Sequence, residues 1–177
     1  MYKIPKFILK DKQAFDSDGI SLIGEPVAHT KNLFDDGFKL IHICDTGALK
    51  GLSTNMDVYD KLTYFVNIEV ECFPKKDLLS KLVSIRSRIV VSDFSDSSLS
   101  IISFFSENKK LFIAKVSKEN SQKIDSLLPL FDEFYLDFSP DSEILEKMSS
   151  KKKRLILNRS VYKNLKNKKG IFGIILD

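Results

Sequence analysis

Eight short, β-rich apolar runs alternate with helical segments along the chain, and this alternation restricts the fold more than any other feature. The runs are Ile4–Leu9, Leu40–Cys44, Tyr64–Val70, Arg88–Val91, Leu111–Val116, Glu133–Phe138, Arg154–Leu157 and Ile171–Leu176. Segments of helical character lie between them, at about Pro26–Asp36, Thr54–Leu62, Lys75–Ile85, Asp96–Glu107, Lys118–Phe131, Pro140–Ser149 and Ser160–Lys166. Fully apolar strands joined by helices are the units of a parallel α/β sheet. Eight of them point to a closed (β/α)₈ barrel; a doubly wound open sheet is built from the same units. The polar residues His42, Asn67, Glu69 and Lys115 fall in mid-run. An open sheet covered on both faces tolerates these poorly, whereas a barrel interior accepts them near its mouth. With 177 residues the chain is short for a barrel of about 250. It reaches its end at the eighth strand, so a minimal single-domain barrel without the last helix is expected.

Local signals support the units. Pro26 suits a first helical turn, and Gly37 stands where a helix ends in a left-handed residue. Val27, Leu33 and Phe34 recur at roughly helical spacing. Ser139-Pro140 reads as a helix start, and Ser95 and Ser117 as caps. No apolar run approaches the length of a membrane span, about 20 residues. The N-terminal ten residues hold too short an apolar core for a secretory signal. Cys44 and Cys72 are too few for a disulfide framework and read as buried thiols in a reducing, cytoplasmic setting.

The net charge of +4 conceals an asymmetry: residues 147–169 hold ten Lys or Arg and no acid, leaving the rest of the chain at −6. Such a segment invites polyanion binding. In a barrel, however, Lys151–Arg154 and Lys168-Lys169 precede strands, and Lys163 and Lys166 ride on a helix. Most of the charge then lies away from the ligand face, as a solvated surface. Nucleic acid is therefore not the expected partner.

Gly24-Glu-Pro-Val, followed by Gly37-Phe-Lys-Leu-Ile-His-Ile-Cys-Asp45, resembles the first helix and second strand of the phosphoribosyl isomerase of histidine biosynthesis and of its cyclase sister. That family reads Asp-Pro-Val, Gly-Ala, a strand and Asp-Leu-Asp-Gly-Ala. The match continues through Gly47-Ala48-Leu-Lys-Gly51-Leu-Ser-Thr-Asn55, one residue short, and Ile4-Pro5 through Asp11 resembles the first strand. The motif-level match covers about residues 4–62. The resemblance implies a barrel, a phosphorylated metabolite as ligand and no cofactor.

It also implies an acid/base pair of aspartates in the first and fifth strands, and here the chain departs. The first position falls on Ile8, and Leu111–Ser117 contains no Asp. A hydrocarbon side chain neither takes nor gives a proton. Glu71-Cys-Phe-Pro and Leu157-Asn-Arg-Ser stand where phosphate-binding glycines would be, and Ile-Leu-Asp177 ends before a third such motif. Phosphate cradles need close backbone approach, which these residues obstruct.

Three readings follow. The first is a barrel that kept the fold and lost this chemistry. The second is an enzyme using strand-end groups on a small phosphorylated metabolite, with Asp45, Lys115 and Asp137 as catalytic candidates. Asp11, Glu71, Asp93, Asn158, Arg159 and Ser160 would then contact the ligand. Against it stands the ordinary use of Asp, Ser and Asn as helix caps in βα loops. The third is a polyanion-binding module through residues 147–169. His42 reads as an interior, hydrogen-bonded histidine and His29 as a solvent-facing one. No metal-ligand spacing is present. Without a last helix, Phe7, Leu9, Phe172 or Ile174 would be exposed along the seam, and a homodimer is expected to cover them.

Overall fold

The computed structural model describes residues 1–165, 168 and 170–176. Strands β1 (Tyr2–Lys10), β4 (Leu40–Asp45), β5 (Asn67–Glu71), β6 (Arg88–Val91), β7 (Phe112–Val116), β8 (Glu133–Leu136), β9 (Arg154–Asn158) and β10 (Ile171–Leu176) lie side by side in chain order. All are parallel, and pairing of β10 with β1 closes the ring. The protein is an α/β protein with a closed eight-stranded parallel barrel, the architecture of a (β/α)₈ fold; the open sheet is set aside. Helices α1 (Pro26–Asp35), α2 (Met56–Leu62), α3 (Lys76–Ser84), α4 (Asp96–Phe104), α5 (Ile124–Leu127), α6 (Ser142–Ser150) and α7 (Arg159–Asn164) fill the connections.

The two faces of the wall carry different side chains. Residues pointing outward, such as Phe7, Ile43, Val70, Val91 and Phe134, pack with the helices into the larger apolar layer. Those pointing inward, Ile4, Leu40, Val90, Ile113, Tyr135, Ile156 and Ile175, form a smaller interior cluster. Alternation along each strand produces this division. Gly173 is an inward position of the same kind, because a Cβ there would stand 2.7 Å from Cδ1 of Ile4.

Several local expectations need correcting. Strands β2 (Gln13–Phe15) and β3 (Leu22–Gly24) form an antiparallel hairpin on β1. The hairpin was not evident because its strands are three residues long. It pairs with Ile8–Lys10, above the Tyr2–Pro5 stretch that pairs with β10, and so continues the wall at the mouth. Its turn comes close to the barrel: a Cβ on Gly19, whose φ is +73°, would meet Cδ1 of Ile8 at 3.0 Å. The cap of α6 is Asp141, whose side chain accepts from Ile144 N–H, and not Ser139. Lys118–Phe131 is a 3₁₀ turn over Lys118–Lys123 and then the short α5, a path set by the reciprocal Ser117–Asn120 capping box.

The seam is also different from expectation. Phe7, Leu9 and Ile174 are buried. Phe7 lies under α1, with the His29 ring edge-on at 5.6 Å, so His29 is half-buried and burial lowers its basicity. The apolar strip on which a homodimer was expected is therefore covered within the chain, Phe172 remaining partly exposed. Lys166, Lys169 and Asp177 lie outside the described residues.

Candidate functional site

Parallel strands place every strand end at one rim, so the sequence candidates are brought to one side of the barrel. They do not form one ring. Asp45 ends β4 fully buried, between barrel and helices. Its carboxylate accepts from Gly47 N–H at 2.6 Å, Ala48 N–H at 3.1 Å and Asn55 Nδ2 at 2.8 Å, and from the Tyr59 hydroxyl. Burial, then the Asp45 charge, drives the Tyr59 phenol well above its ordinary range. Four donors use the lone pairs of this carboxylate, which makes it a latch between the β4 loop and α2. Gly47 is required there, because a Cβ would stand 2.8 Å from Oγ1 of Thr54.

Asp93 likewise faces its own helix. It accepts from Ser95 Oγ at 2.9 Å and from the Ser98 hydroxyl, which holds its carboxyl below the usual range. Asp11 is exposed in the β1–β2 turn with a left-handed φ of 49°. A groove of about 390 Å³ borders it, lined by Asp11, Lys12, Thr46, Lys50 and Asn55. Arg159 and Ser160 open α7 and are exposed.

The groups that do meet lie inside the barrel. Lys115 Nζ donates to Oε1 of Glu71 at 2.5 Å and stands 5.5 Å from the Tyr135 ring. The other Glu71 oxygen lies 3.3 Å from Nε2 of His42, and Nδ1 of His42 lies 2.9 Å from Oε1 of Glu69. Below them, Arg88 bonds Glu133 and approaches Glu69 at 3.7 Å, and Arg154 takes the second oxygen of Glu133. The Arg88 and Arg154 guanidiniums sit 5.3 and 5.0 Å from the Phe172 ring. A chain of alternating charge thus runs from the Lys115 rim to the floor. Beside Lys115, its register partner Tyr135 donates to Oδ1 of Asn158 at 2.6 Å.

The protonation of this chain follows from its donors. Two carboxylates that only accept face the two ring nitrogens of His42, so both nitrogens must carry hydrogen. Burial alone would lower the basicity of His42, but the bonds and charges of Glu69 and Glu71 outweigh it and hold the imidazole above its ordinary value. Burial works against the Glu71 carboxylate too; His42 and Lys115 prevail and bring it down to about 2. Asp137, half-buried after β8, is raised by burial, with Lys115 opposing. Burial first, then Glu71, pushes the Cys44 thiol up to about 11, so it is not a ready nucleophile. Among the described residues no three His, Cys, Asp or Glu side chains converge as metal ligands would.

Sequence reasoning singled out Glu71, Lys115 and His42 but not Arg88, Glu133 or Arg154, which open their strands. The period of two could have found them: Glu69 with Glu71, Arg88 with Val90, and Glu133 with Tyr135 each share a face. No family model and no curated protein matches the chain. No helix among the described residues is long and apolar enough to cross a membrane.

Proposed function

We propose that this chain is a repurposed relative of the histidine-pathway phosphoribosyl isomerases, a barrel that binds a small phosphorylated metabolite without isomerising it. The observation that carries the reading is Ile8. It lies on the inner wall beside Cys44, where the resemblance implies the first acid. The fifth barrel strand, β7, offers Lys115 and no carboxylate. The remaining strand-end acid with a motif match, Asp45, is engaged by four donors. Phosphoribosyl isomerisation by the purified chain is expected to be absent; turnover above the buffer background would overturn the reading.

A second reading, an isomerase or lyase working through the rim, draws support from one feature. Asp137, raised by burial, lies in the field of Lys115 and Glu71 and could act as an acid there. Turnover lost in Asp137→Asn would select it. The polyanion reading has less support, because among the described residues three cations of the segment are already paired: Lys147 with Asp125, Lys153 with Asp132 and Arg154 with Glu133.

A further inference from the structure

Among the described residues, charge inside the barrel is balanced at the floor and carries an excess of cations at the mouth. On the floor, Arg88 and Arg154 stand against Glu69 and Glu133. Toward the mouth, Lys115 and His42 both bond to Glu71, and Asp137 lies near Lys115. A third cation shares this space. Lys6 lies two residues from Ile4 on β1 and so points with it into the barrel, next to His42 in register. It is part-buried, and among the described residues it makes no hydrogen bond and no ion pair.

The strand order sets where the two ammonium groups stand. β1 and β7 are the first and fifth of eight barrel strands, on opposite walls. Lys6 and Lys115 therefore rise from opposite sides of one mouth, and both act electrostatically on the Cys44 thiol between them. Asp137 stands after β8, on the Lys115 side, and among the described residues no carboxylate pairs with Lys6. A part-buried cation facing a second cation is unfavourable unless an anion joins them.

We propose that Lys6 and Lys115 hold a small oxyanion, the phosphate of a monoester or a carboxylate, across the mouth between β1 and β7. This names the anion-binding groups of the barrel read above as a binding protein. Glu71 does not repel such a ligand strongly, because His42 and Lys115 neutralise it. Ile8 and Cys44, one step further toward the rim, supply an apolar wall for the uncharged part of the molecule.

Inorganic phosphate and malonate, titrated into the full chain at fixed ionic strength, test the site by calorimetry and by thermal unfolding. A saturable heat and an unfolding midpoint that rises with the logarithm of anion concentration are expected. Binding of phosphate alone would identify the ligand as a phosphate ester; binding of malonate alone would identify a carboxylate. Lys6→Met should keep the fold, since the ammonium it removes has no hydrogen-bond or ion-pair partner among the described residues. It should weaken anion binding at least tenfold. Lys50→Met, in the outer groove, should leave binding unchanged. If Lys115→Met unfolds through loss of the Glu71 bond, Lys6→Met alone decides. Failure of both anions to bind the unmodified chain, or unchanged binding in Lys6→Met, would overturn the site. Isomerase turnover would overturn the functional reading and still leave the site standing if Lys6→Met abolished anion binding.

Discussion

Nδ1 of His42 lies 2.9 Å from Oε1 of Glu69, and neither side chain reaches solvent. With Glu71 on the other ring nitrogen, this contact links stability to pH. His42 is raised in the fold, so its contribution is complete below the ordinary value of 6.5 and is lost as pH rises through the raised value. Glu71 is lowered to about 2 from 4.5, so its contribution is complete above 4.5 and is lost as pH falls toward 2. These two groups together place greatest stability between 4.5 and 6.5. Urea unfolding midpoints should fall on going from mildly acidic to mildly alkaline buffer, and His42→Gln should remove that slope. A midpoint that climbs over the same interval would contradict the imidazolium assignment.

Asp45→Ala should destabilise the chain by about 3 kcal/mol, because buried donors from Asn55, Tyr59 and two backbone amides lose their acceptor together. Tyr59→Phe removes one donor and should cost about 1 kcal/mol. Neither change should alter phosphate binding. An effect of Asp45→Ala on ligand affinity with stability intact would return Asp45 to the ligand face.

Glu133→Gln leaves Arg88 and Arg154 facing each other beside Phe172 without their shared carboxylate. A loss of about 3 kcal/mol is expected from breaking a buried ion pair on one side. The double variant Glu133→Gln/Arg154→Met should recover part of it. Denaturant titration of the unmodified chain, Glu133→Gln, Arg154→Met and the double variant measures the coupling, and strictly additive losses would show that the two residues do not interact.

Gly173→Ala pushes a methyl group to 2.7 Å from Cδ1 of Ile4, which is fully buried. Ile4 must turn within the closed interior, at a cost of about 1–3 kcal/mol. Pairing with Ile4→Val, which shortens that side chain, should restore most of the lost thermal midpoint.

The eight strands and their parallel order were legible because each strand buries its outward face under helices and therefore reads as an apolar run. Mid-strand polarity at His42, Glu69 and Lys115 correctly pointed to a barrel interior. Their partners were not legible, since which inward residues meet depends on the stagger between strands, as in Glu69 opposite Arg88 and Glu133 opposite Arg154. Strand-end acids looked alike in sequence and proved different in use. Asp45 and Asp93 are fastened by residues two to fourteen positions away, contacts that a strand-end tally does not weigh. Lys6 was hidden for the converse reason: one lysine in an apolar strand looks like a solvent contact until its face is known.

Closure of the ring also governs how the chain can come to be folded. Tyr2 pairs with Gly173, so the first strand of the barrel meets its last neighbour only after nearly the whole sequence exists. At about 5–20 residues per second, synthesis leaves that edge of β1 without its final partner for roughly ten seconds or longer. The β2–β3 hairpin, made of the residues that follow next, is available almost at once and pairs with Ile8–Lys10 on β1. It shields half of an edge that would otherwise be open to other chains during the wait.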